Sequence, residues 1–414
     1  MSRTHVIARG ALLLGAVGAF VAACHSDTTL FAPQPNNPIF TSYVALGNSI
    51  TAGFQSGGIN DSTQHQSYAV LLANQMHTRF AIPSLAAPGC PPPIANLLTG
   101  ARVGGATSTS TSCALRTAAS ATATLNNVAV PGITTFDPIA IGNPADTLLQ
   151  NKNPLVQIIL GGESMVQKAL DNKPTFATVW VGNNDILAAA IGGTPGAATP
   201  VPTFTTNYKA MIDQLVAGAP GLKGVLIGVV QVTEVPVLFQ VGVLQQNAAA
   251  KAAADQVAGV KLTIDPVTCA GANAGALLAF NALPTYKTRP APATGIVFCQ
   301  KVAGGGALDP GDPGILDITE QATVANTING YNAYIKAKAD SIGFAYFDAS
   351  PVLDSLRKAN AVPAFPNLTS TTAPFGQFFS LDGVHPAAAA HVLIANHLID
   401  VINAKYGTSL VHVQ

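Results

Sequence analysis

A serine and an aspartate–histidine pair stand where they could carry out acyl transfer. Ser49 follows a short apolar run that ends in Gly47, and a tight turn at that point would expose its hydroxyl as a nucleophile. Asp382 and His385 are three residues apart near the C-terminus. A carboxylate at that spacing can hold the imidazole in one tautomer and support the imidazolium that forms during proton transfer. These residues predict a Ser-His-Asp set for nucleophilic catalysis.

Two further residues could stabilise the negative charge that such a reaction develops. Gly132 follows the apolar run 127–130 and, having no side chain, can turn its N–H toward an oxyanion. Asn184 follows another apolar run and has a carboxamide that can donate to the same oxygen. Taken singly, Ser49 could be a helix cap, Gly132 a turn residue and Asn184 part of an Asn/Asp turn. Their order along the chain favours the combined catalytic interpretation.

Short strands alternating with helices must position these residues. Apolar runs typical of buried parallel strands occupy residues 42–47, 127–130, 176–182, 225–230 and 344–348, and helical spacing occupies 68–76, 324–339 and 387–405. The pattern predicts an α/β fold, doubly wound in three α/β/α layers around a mostly parallel, five-stranded sheet. Sites in such sheets form at the carboxyl ends of the strands, which is where the serine, glycine and asparagine stand.

Four short motifs resemble those of the SGNH/GDSL hydrolase superfamily. They are residues 47–53 (GNSITAG), Gly132, residues 182–185 (GNND) and residues 382–386 (DGVHP). The resemblance implies the flavodoxin-like SGNH hydrolase fold. It also implies a nucleophile at Ser49.

The same resemblance assigns the other roles. His385 is then the general base, Asp382 orients it, and the oxyanion hole consists of the Ser49 and Gly132 N–H groups with the Asn184 side chain. Asn48 stands where the family usually has an aspartate. That position neighbours the nucleophile and is not the acid of the triad, so the departure bears on rate and pH profile more than on reaction class.

The predicted function is therefore that of a serine esterase or lipase acting on carboxylic esters, with no cofactor. Two alternatives stay open: a carbohydrate O-acetylesterase of the same fold, and a non-catalytic surface-binding lipoprotein. The chain is 48% hydrophobic and 10% charged, which favours apolar esters, whereas 6% aromatic residues with one Trp weaken a sugar-stacking platform.

Charge and motif spacing disfavour other classes. Lys+Arg and Asp+Glu each number 20, whereas nucleic-acid binding usually requires a basic surplus, so no nucleic-acid partner is expected. No C-x-x-C or H-E-x-x-H spacing occurs, and no metal site is predicted. After the N-terminus no run of about 20 apolar residues could span a bilayer.

The N-terminus predicts export and lipid anchoring. Residues 1–23 combine a positive start, a short apolar stretch and small residues before Cys24, as in a signal peptide. The end resembles the lipobox of bacterial lipoproteins, which implies a lipidated Cys24 and anchoring in a membrane, with the outer membrane favoured; an ordinary signal peptide is the alternative. Residues 24–40 are Pro-rich and are interpreted as a tether.

The remaining chain, 41–406, is predicted as one hydrolase domain with long insertions near 86–126, 188–205 and 234–319. Four further cysteines lie in the first and last of these insertions. In an oxidising compartment they favour disulfides, and pairing of sequence neighbours predicts Cys90–Cys113 and Cys269–Cys299, since each would close an irregular loop.

Overall fold

The central sheet consists of four parallel strands among the residues described by the computed structural model, which are 34–105, 116–121, 123–140, 154–300 and 314–414. In chain order the strands are β1 (Tyr43–Gly47), β2 (Phe176–Trp180), β3 (Lys223–Ile227), β4 (Leu238–Gln240), β5 (Thr263–Ile264), β6 (Leu277–Ala279), β7 (Ile296–Val297), β8 (Ile315–Leu316) and β9 (Ala345–Phe347). The central sheet has the order β1-β2-β3-β9, and every pair in it is parallel. The predicted α/β class is confirmed.

Helices connect these strands. In chain order they are α1 (Ser49–Ala52), α2 (Asp61–His65), α3 (Tyr68–Met76), α4 (Ala118–Ala121), α5 (Asp137–Ala140), α6 (Pro154–Leu160), α7 (Met165–Leu170), α8 (Asn184–Ile191), α9 (Val201–Gly218), α10 (Val241–Gln246), α11 (Ala248–Ala258), α12 (Ile318–Ile342), α13 (Ser350–Lys358) and α14 (Ala388–Tyr406). Within the described residues no helix is long and apolar enough to cross a membrane.

Helices cover both faces of the central sheet, which gives the three layers. Tyr43 and Ala45 of β1 belong to one apolar cluster, together with residues of α3 and α14. Val44 and Leu46 belong to the other cluster, together with residues of α7, α9 and α12. This alternation follows from the two-residue period of a strand, and burial on both faces explains why the strand sequences are continuously apolar.

α12 is longer than its apolar spacing predicts. The structure begins this helix six residues earlier than the predicted 324–339, because Asp317 caps it and exchanges hydrogen bonds with Glu320 in a capping box. The first turns are polar, so hydrophobic periodicity did not mark them. The last helix, α14, lies within one residue of its prediction.

The predicted strand 127–130, the second in chain order, is not part of a continuous ladder. It runs beside β1, donating from Val128 N to Ala45 O (3.0 Å) and from Val130 N to Gly47 O (3.0 Å), but it forms only an isolated parallel bridge. The Ala129 N–H, which lies between these two donors and faces the other side, donates to the side-chain oxygen of Asn127. Its pairing with β1 does not extend beyond this bridge, and the central sheet has four strands where five were predicted.

Two predicted segment boundaries also differ from the structure. Residues 188–191 complete α8 and 201–205 begin α9, so only 192–200 of the predicted insertion 188–205 connect elements. Prolines near the start of α9 concealed the helix, although Pro is tolerated in a first turn. The predicted tether 24–40 ends earlier, since Phe40 is fully buried against Phe176.

The predicted insertion 234–319 has secondary structure of its own. It contains α10, α11 and the strands β4 to β8, of which β4, β6 and β8 form a small antiparallel sheet. The predicted bond between Cys269 and Cys299 is present and closes this region. Cys113 of the other predicted pair lies outside the described residues, as do the predicted signal peptide and Cys24.

Candidate active site

Ser49 begins α1 directly after β1, at the carboxyl edge of the sheet. Asn48 caps this short helix, because its side-chain oxygen accepts from Ile50 N at 3.1 Å. An aspartate would make the same cap, so the asparagine preserves the local geometry. Ser49 is 8% exposed, and as the first helical residue its N–H has no intrahelical acceptor.

The structure brings Ser49 next to His385. The imidazole Nε2 lies 2.9 Å from the Ser49 Oγ, and the Nδ1 lies 2.8 Å from the Asp382 Oδ2. The Asp382 and His385 side chains are 14% and 15% exposed, so both are shielded from bulk water. Phe54 packs its ring 4.9 Å from the imidazole, centre to centre. The imidazole can therefore accept a proton on the Ser49 side while a carboxylate holds its other nitrogen.

Several donors hold the Asp382 carboxylate. Oδ1 accepts from Ser380 Oγ (3.1 Å) and from the N–H groups of Val384 (2.9 Å) and His385 (2.9 Å). Oδ2 accepts from Gly57 N at 2.7 Å in addition to the imidazole. Burial alone would raise the pKa of this carboxyl, but the facing His385 and these hydrogen bonds hold the pKa well below its usual range. The group stays ionised beside the imidazole.

Ser380 and Gly57 are partners that the sequence motifs did not include. Ser380 also accepts from Ser56 N at 2.8 Å, and the Ser56 hydroxyl accepts from Leu381 N at 3.1 Å. The turn after α1 is thus bonded to the loop that bears Asp382. Ser380 is two residues from Asp382 and could have been suspected, whereas Gly57 is 325 residues away and carries no local signal.

Gly132 and Asn184 lie on neighbouring segments at the same sheet edge. Gly132 is an exposed turn residue with a φ of +86°, a conformation that favours glycine. Asn184 begins α8 after β2 and donates from Nδ2 to the carbonyl of Ile133 at 2.7 Å. This bond uses one of the two amide hydrogens. The structure therefore connects the segment that follows Gly132 to the side chain of Asn184.

Asp185 adds a second connection between the same segments. Its carboxylate accepts from both the N–H (2.9 Å) and the hydroxyl (2.7 Å) of Thr135. Burial raises the pKa of Asp185 to about 6, although the bonds from Thr135 and Thr199 oppose the rise. The motif 182–185 contains Asp185, but the sequence assigned it no role. Its only signal was an acid in the first turn of a helix.

An apolar pocket borders the residues next to Ser49 and His385. Ile50, Val384 and Pro386 line it together with apolar side chains of α13 and α14. His391 of α14 is fully buried nearby, where burial, and secondarily His385, lowers its imidazole pKa to about 3. Among the described residues no group of three or more His, Cys, Asp or Glu side chains could hold a metal ion.

Three solved structures that are similar to this chain have low sequence identity and low TM-scores. A putative GDSL-like lipase from Parabacteroides merdae is 12% identical with a TM-score of 0.36, covering 87% of this chain and 95% of its own. An acetylxylan esterase from Geobacillus stearothermophilus, solved as a catalytic mutant, is 11% identical with a TM-score of 0.35, covering 90% and 97%. An extracellular lipase from Streptomyces rimosus is 15% identical with a TM-score of 0.30, covering 88% and 99%.

No curated protein matches the chain. The sequence profile of the GDSL-like lipase/acylhydrolase family, however, matches residues 43–398. This range begins with β1, ends in α14 and includes each of the motifs described above. The chain belongs to the GDSL-like lipase/acylhydrolase family.

Proposed function

We propose that this protein is a serine hydrolase of carboxylic esters in which Ser49 is the nucleophile. The Ser49 Oγ attacks the ester carbonyl while its proton moves to His385 Nε2. The tetrahedral intermediate collapses, and the same proton passes to the departing alkoxide, which leaves an acyl group on Ser49. A water molecule then repeats the two steps and releases the acid.

One observation carries this proposal: a single imidazole contacts a serine hydroxyl and a largely shielded carboxylate through its two nitrogens, at 2.9 and 2.8 Å. The carboxylate keeps the Nδ1 proton in place, so Nε2 is free to accept. The other histidines whose partners the structure describes do not combine these contacts. His391, for example, accepts from Tyr68 N at 3.2 Å.

The negative charge of the intermediate requires donors. We assign these to the N–H groups of Ser49 and Gly132 and to the Asn184 side chain. Their segments are joined by the bonds from Val130 N to Gly47 O and from Asn184 Nδ2 to Ile133 O. Removing one such donor from an enzyme typically costs about 10²–10³ in rate. We therefore expect Asn184→Ala to lower kcat within this range, with a smaller effect on KM.

We propose that the alkyl or aryl group of the substrate binds in the apolar pocket, which would favour an apolar ester over a carbohydrate ester. All of its lining side chains are apolar, and they include Leu353, Leu356, Phe379 and Ile394 in addition to those named above. A sugar would leave its hydroxyl groups without partners against such a wall, whereas an alkyl or aryl group would be stabilised by about 25 cal/mol per Å² of apolar surface removed from water.

The decisive experiment compares wild type with Ser49→Ala. Wild type should hydrolyse short p-nitrophenyl esters and be labelled covalently by a fluorophosphonate, and Ser49→Ala should do neither. Ser355→Ala, which alters an exposed serine on α13, is the matched control and should behave as wild type. Labelling of Ser49→Ala at the wild-type rate would show that the nucleophile is another residue. An unlabelled, inactive wild type would support the non-catalytic alternative.

A substrate panel separates the two enzymatic candidates. Rates on p-nitrophenyl esters from acetate to palmitate would be compared with acetate release from acetylated xylan. We expect the apolar esters to be preferred. Preference for acetylated xylan would assign the protein to the carbohydrate O-acetylesterases instead.

We also propose that the protein is exported and anchored by a lipid on Cys24. The support is the sequence of residues 1–24 alone. Two or more acyl chains give stable membrane attachment, which would hold the hydrolase domain near a lipid surface.

A further inference from the structure

Two adjacent threonines follow Gly132, and carboxylates from different parts of the chain bind them. Thr134 bonds locally, through its N–H and its hydroxyl, to Asp137. Thr135 instead reaches Asp185, which lies 50 residues further along the chain in the first turn of α8. Because Thr135 donates to both oxygens of Asp185, the pair is held in two directions and cannot rotate freely.

The Asn184 side chain forms a parallel connection. It donates to Ile133 O at 2.7 Å, so two consecutive residues of α8 are bonded to alternate residues of the segment after Gly132. The Asp185–Thr135 pair is buried, with the two residues 4% and 0% exposed. Water therefore does not compete with these hydrogen bonds, and they fix the spacing between the two segments.

We propose that Asp185 is a positioning residue that sets the distance between the Gly132 turn and the Asn184 side chain through its paired bonds to Thr135. The inference rests on the proposed function, in which Gly132 and Asn184 donate to one oxyanion. Asp185 does not touch the substrate in this arrangement. It acts through the placement of two donors that must both come within about 2.7–3.1 Å of the developing oxyanion.

Joining two segments through a buried carboxylate has a large desolvation cost. Burial raises the pKa of Asp185 to about 6, which shows that its hydrogen bonds do not fully offset the loss of water. Neutral or apolar groups of similar size would often join buried segments at lower cost. The carboxylate has one property that they lack, since its two equivalent oxygens accept an N–H and a hydroxyl from one residue.

The test uses Thr135→Val and Thr135→Ser, with Thr178→Val as the control. Thr178 is also fully buried, and its hydroxyl bonds Tyr43 OH at 2.8 Å in the middle of the sheet. Thr178→Val thus removes a comparable buried hydrogen bond away from the donors. Kinetics on p-nitrophenyl acetate and thermal unfolding would be measured for all variants.

We expect Thr135→Val to lower kcat by roughly 10- to 100-fold with KM within about threefold of wild type, because misplaced donors affect the transition state more than the ground state. Thr135→Ser keeps both donors and should retain kcat within about threefold of wild type. Thr178→Val should lose thermal stability but keep kcat. Equal kcat in Thr135→Val and Thr178→Val would overturn the proposal.

Asp185 itself provides a second comparison. Asp185→Asn retains an oxygen for the Thr135 N–H and should keep more kcat than Asp185→Ala, which retains none. Equal kcat in these two variants, in protein that unfolds cooperatively, would contradict the positioning role. Fluorophosphonate labelling of Ser49 in wild type separates this result from the proposed function: an unlabelled, inactive wild type refutes the hydrolase, whereas a labelled, active wild type with insensitive Asp185 and Thr135 variants refutes only the positioning role.

Discussion

His385 Nε2 lies 2.9 Å from Ser49 Oγ, although 336 residues separate the two along the chain. Ser49 is held there by the end of β1, and His385 by the loop that precedes α14. Ser56 and Ser380 bond these two regions to each other. The Ser49–His385 contact is therefore held by these hydrogen bonds between the two regions as well as by its own hydrogen bond.

The first prediction concerns the carboxylate behind the imidazole. In Asp382→Asn the amide oxygen should occupy the Oδ1 position, where three donors converge. The amide NH₂ then faces His385 Nδ1, which must accept, so the imidazole proton moves to Nε2 and the base is lost. We expect kcat on p-nitrophenyl acetate to fall by about 10³–10⁴-fold.

Asp400→Asn is the matched control for this change. Asp400 Oδ1 lies 2.7 Å from His412 Nε2 in an exposed pair with the same two residue types. Its replacement should leave kcat unchanged, because a solvated pair of this kind contributes little. If kcat of Asp382→Asn equals that of wild type, Asp382 has no role in the mechanism.

The second prediction concerns the apolar pocket. Val352 lines it from α13, and Val352→Phe would occupy space that an alkyl chain needs. Excluding two methylene groups, at about 0.8 kcal/mol each, would lower the ratio of kcat/KM for hexanoate over acetate by roughly tenfold. Ser355→Phe places the same ring on the exposed side of α13 and should leave the ratio unchanged. If Val352→Phe keeps the wild-type ratio of kcat/KM for hexanoate over acetate, the acyl chain binds outside this pocket.

The third prediction is a pH dependence of stability caused by His391. Its pKa is about 3 in the folded protein, against an ordinary value of 6.5. The unfolded chain therefore takes up the proton first as the pH falls, and stability is lost between about pH 6.5 and 3, by up to about 1.4 kcal/mol per pH unit. Asp185, with a pKa raised by burial to about 6, has the opposite dependence.

His391→Asn isolates the histidine contribution, because the asparagine oxygen can still accept from Tyr68 N while Asp185 is unchanged. The free energy of unfolding, measured by urea between pH 7 and 5, should fall less in this variant than in wild type. His412→Asn, at an exposed site, should keep the wild-type slope. Identical slopes in wild type and His391→Asn would show that His391 does not control this dependence.

The fourth prediction concerns the N-terminus. Cys24→Ala should release the protein from the membrane fraction of bacteria that express it, because the proposed lipid attachment site is lost. The Cys269→Ala control removes a cysteine that is bonded within the domain and should remain with the membranes. Fractionation followed by immunoblotting measures both, and release of neither variant would argue against a lipid on Cys24.

The motifs could be identified from the sequence because their information is local. The apolar run that precedes Ser49, the spacing of Asp382 and His385, and the asparagine at the start of α8 each lie within a few consecutive residues. Burial on both faces makes a parallel strand recognisable as a continuous apolar run. The sequence alone therefore determined the α/β class and four of the five predicted strands, whereas the roles of the site residues stay predictions.

The tertiary structure decided the contacts between residues distant in the chain. Residues 127–130 have the sequence of a strand, but they pair with β1 only through an isolated bridge. Gly57 meets Asp382 across 325 residues, and Thr135 meets Asp185 across 50. Such pairings depend on how the segments pack around the sheet, and short-range periodicity carries no information about which distant donor finds which carboxylate.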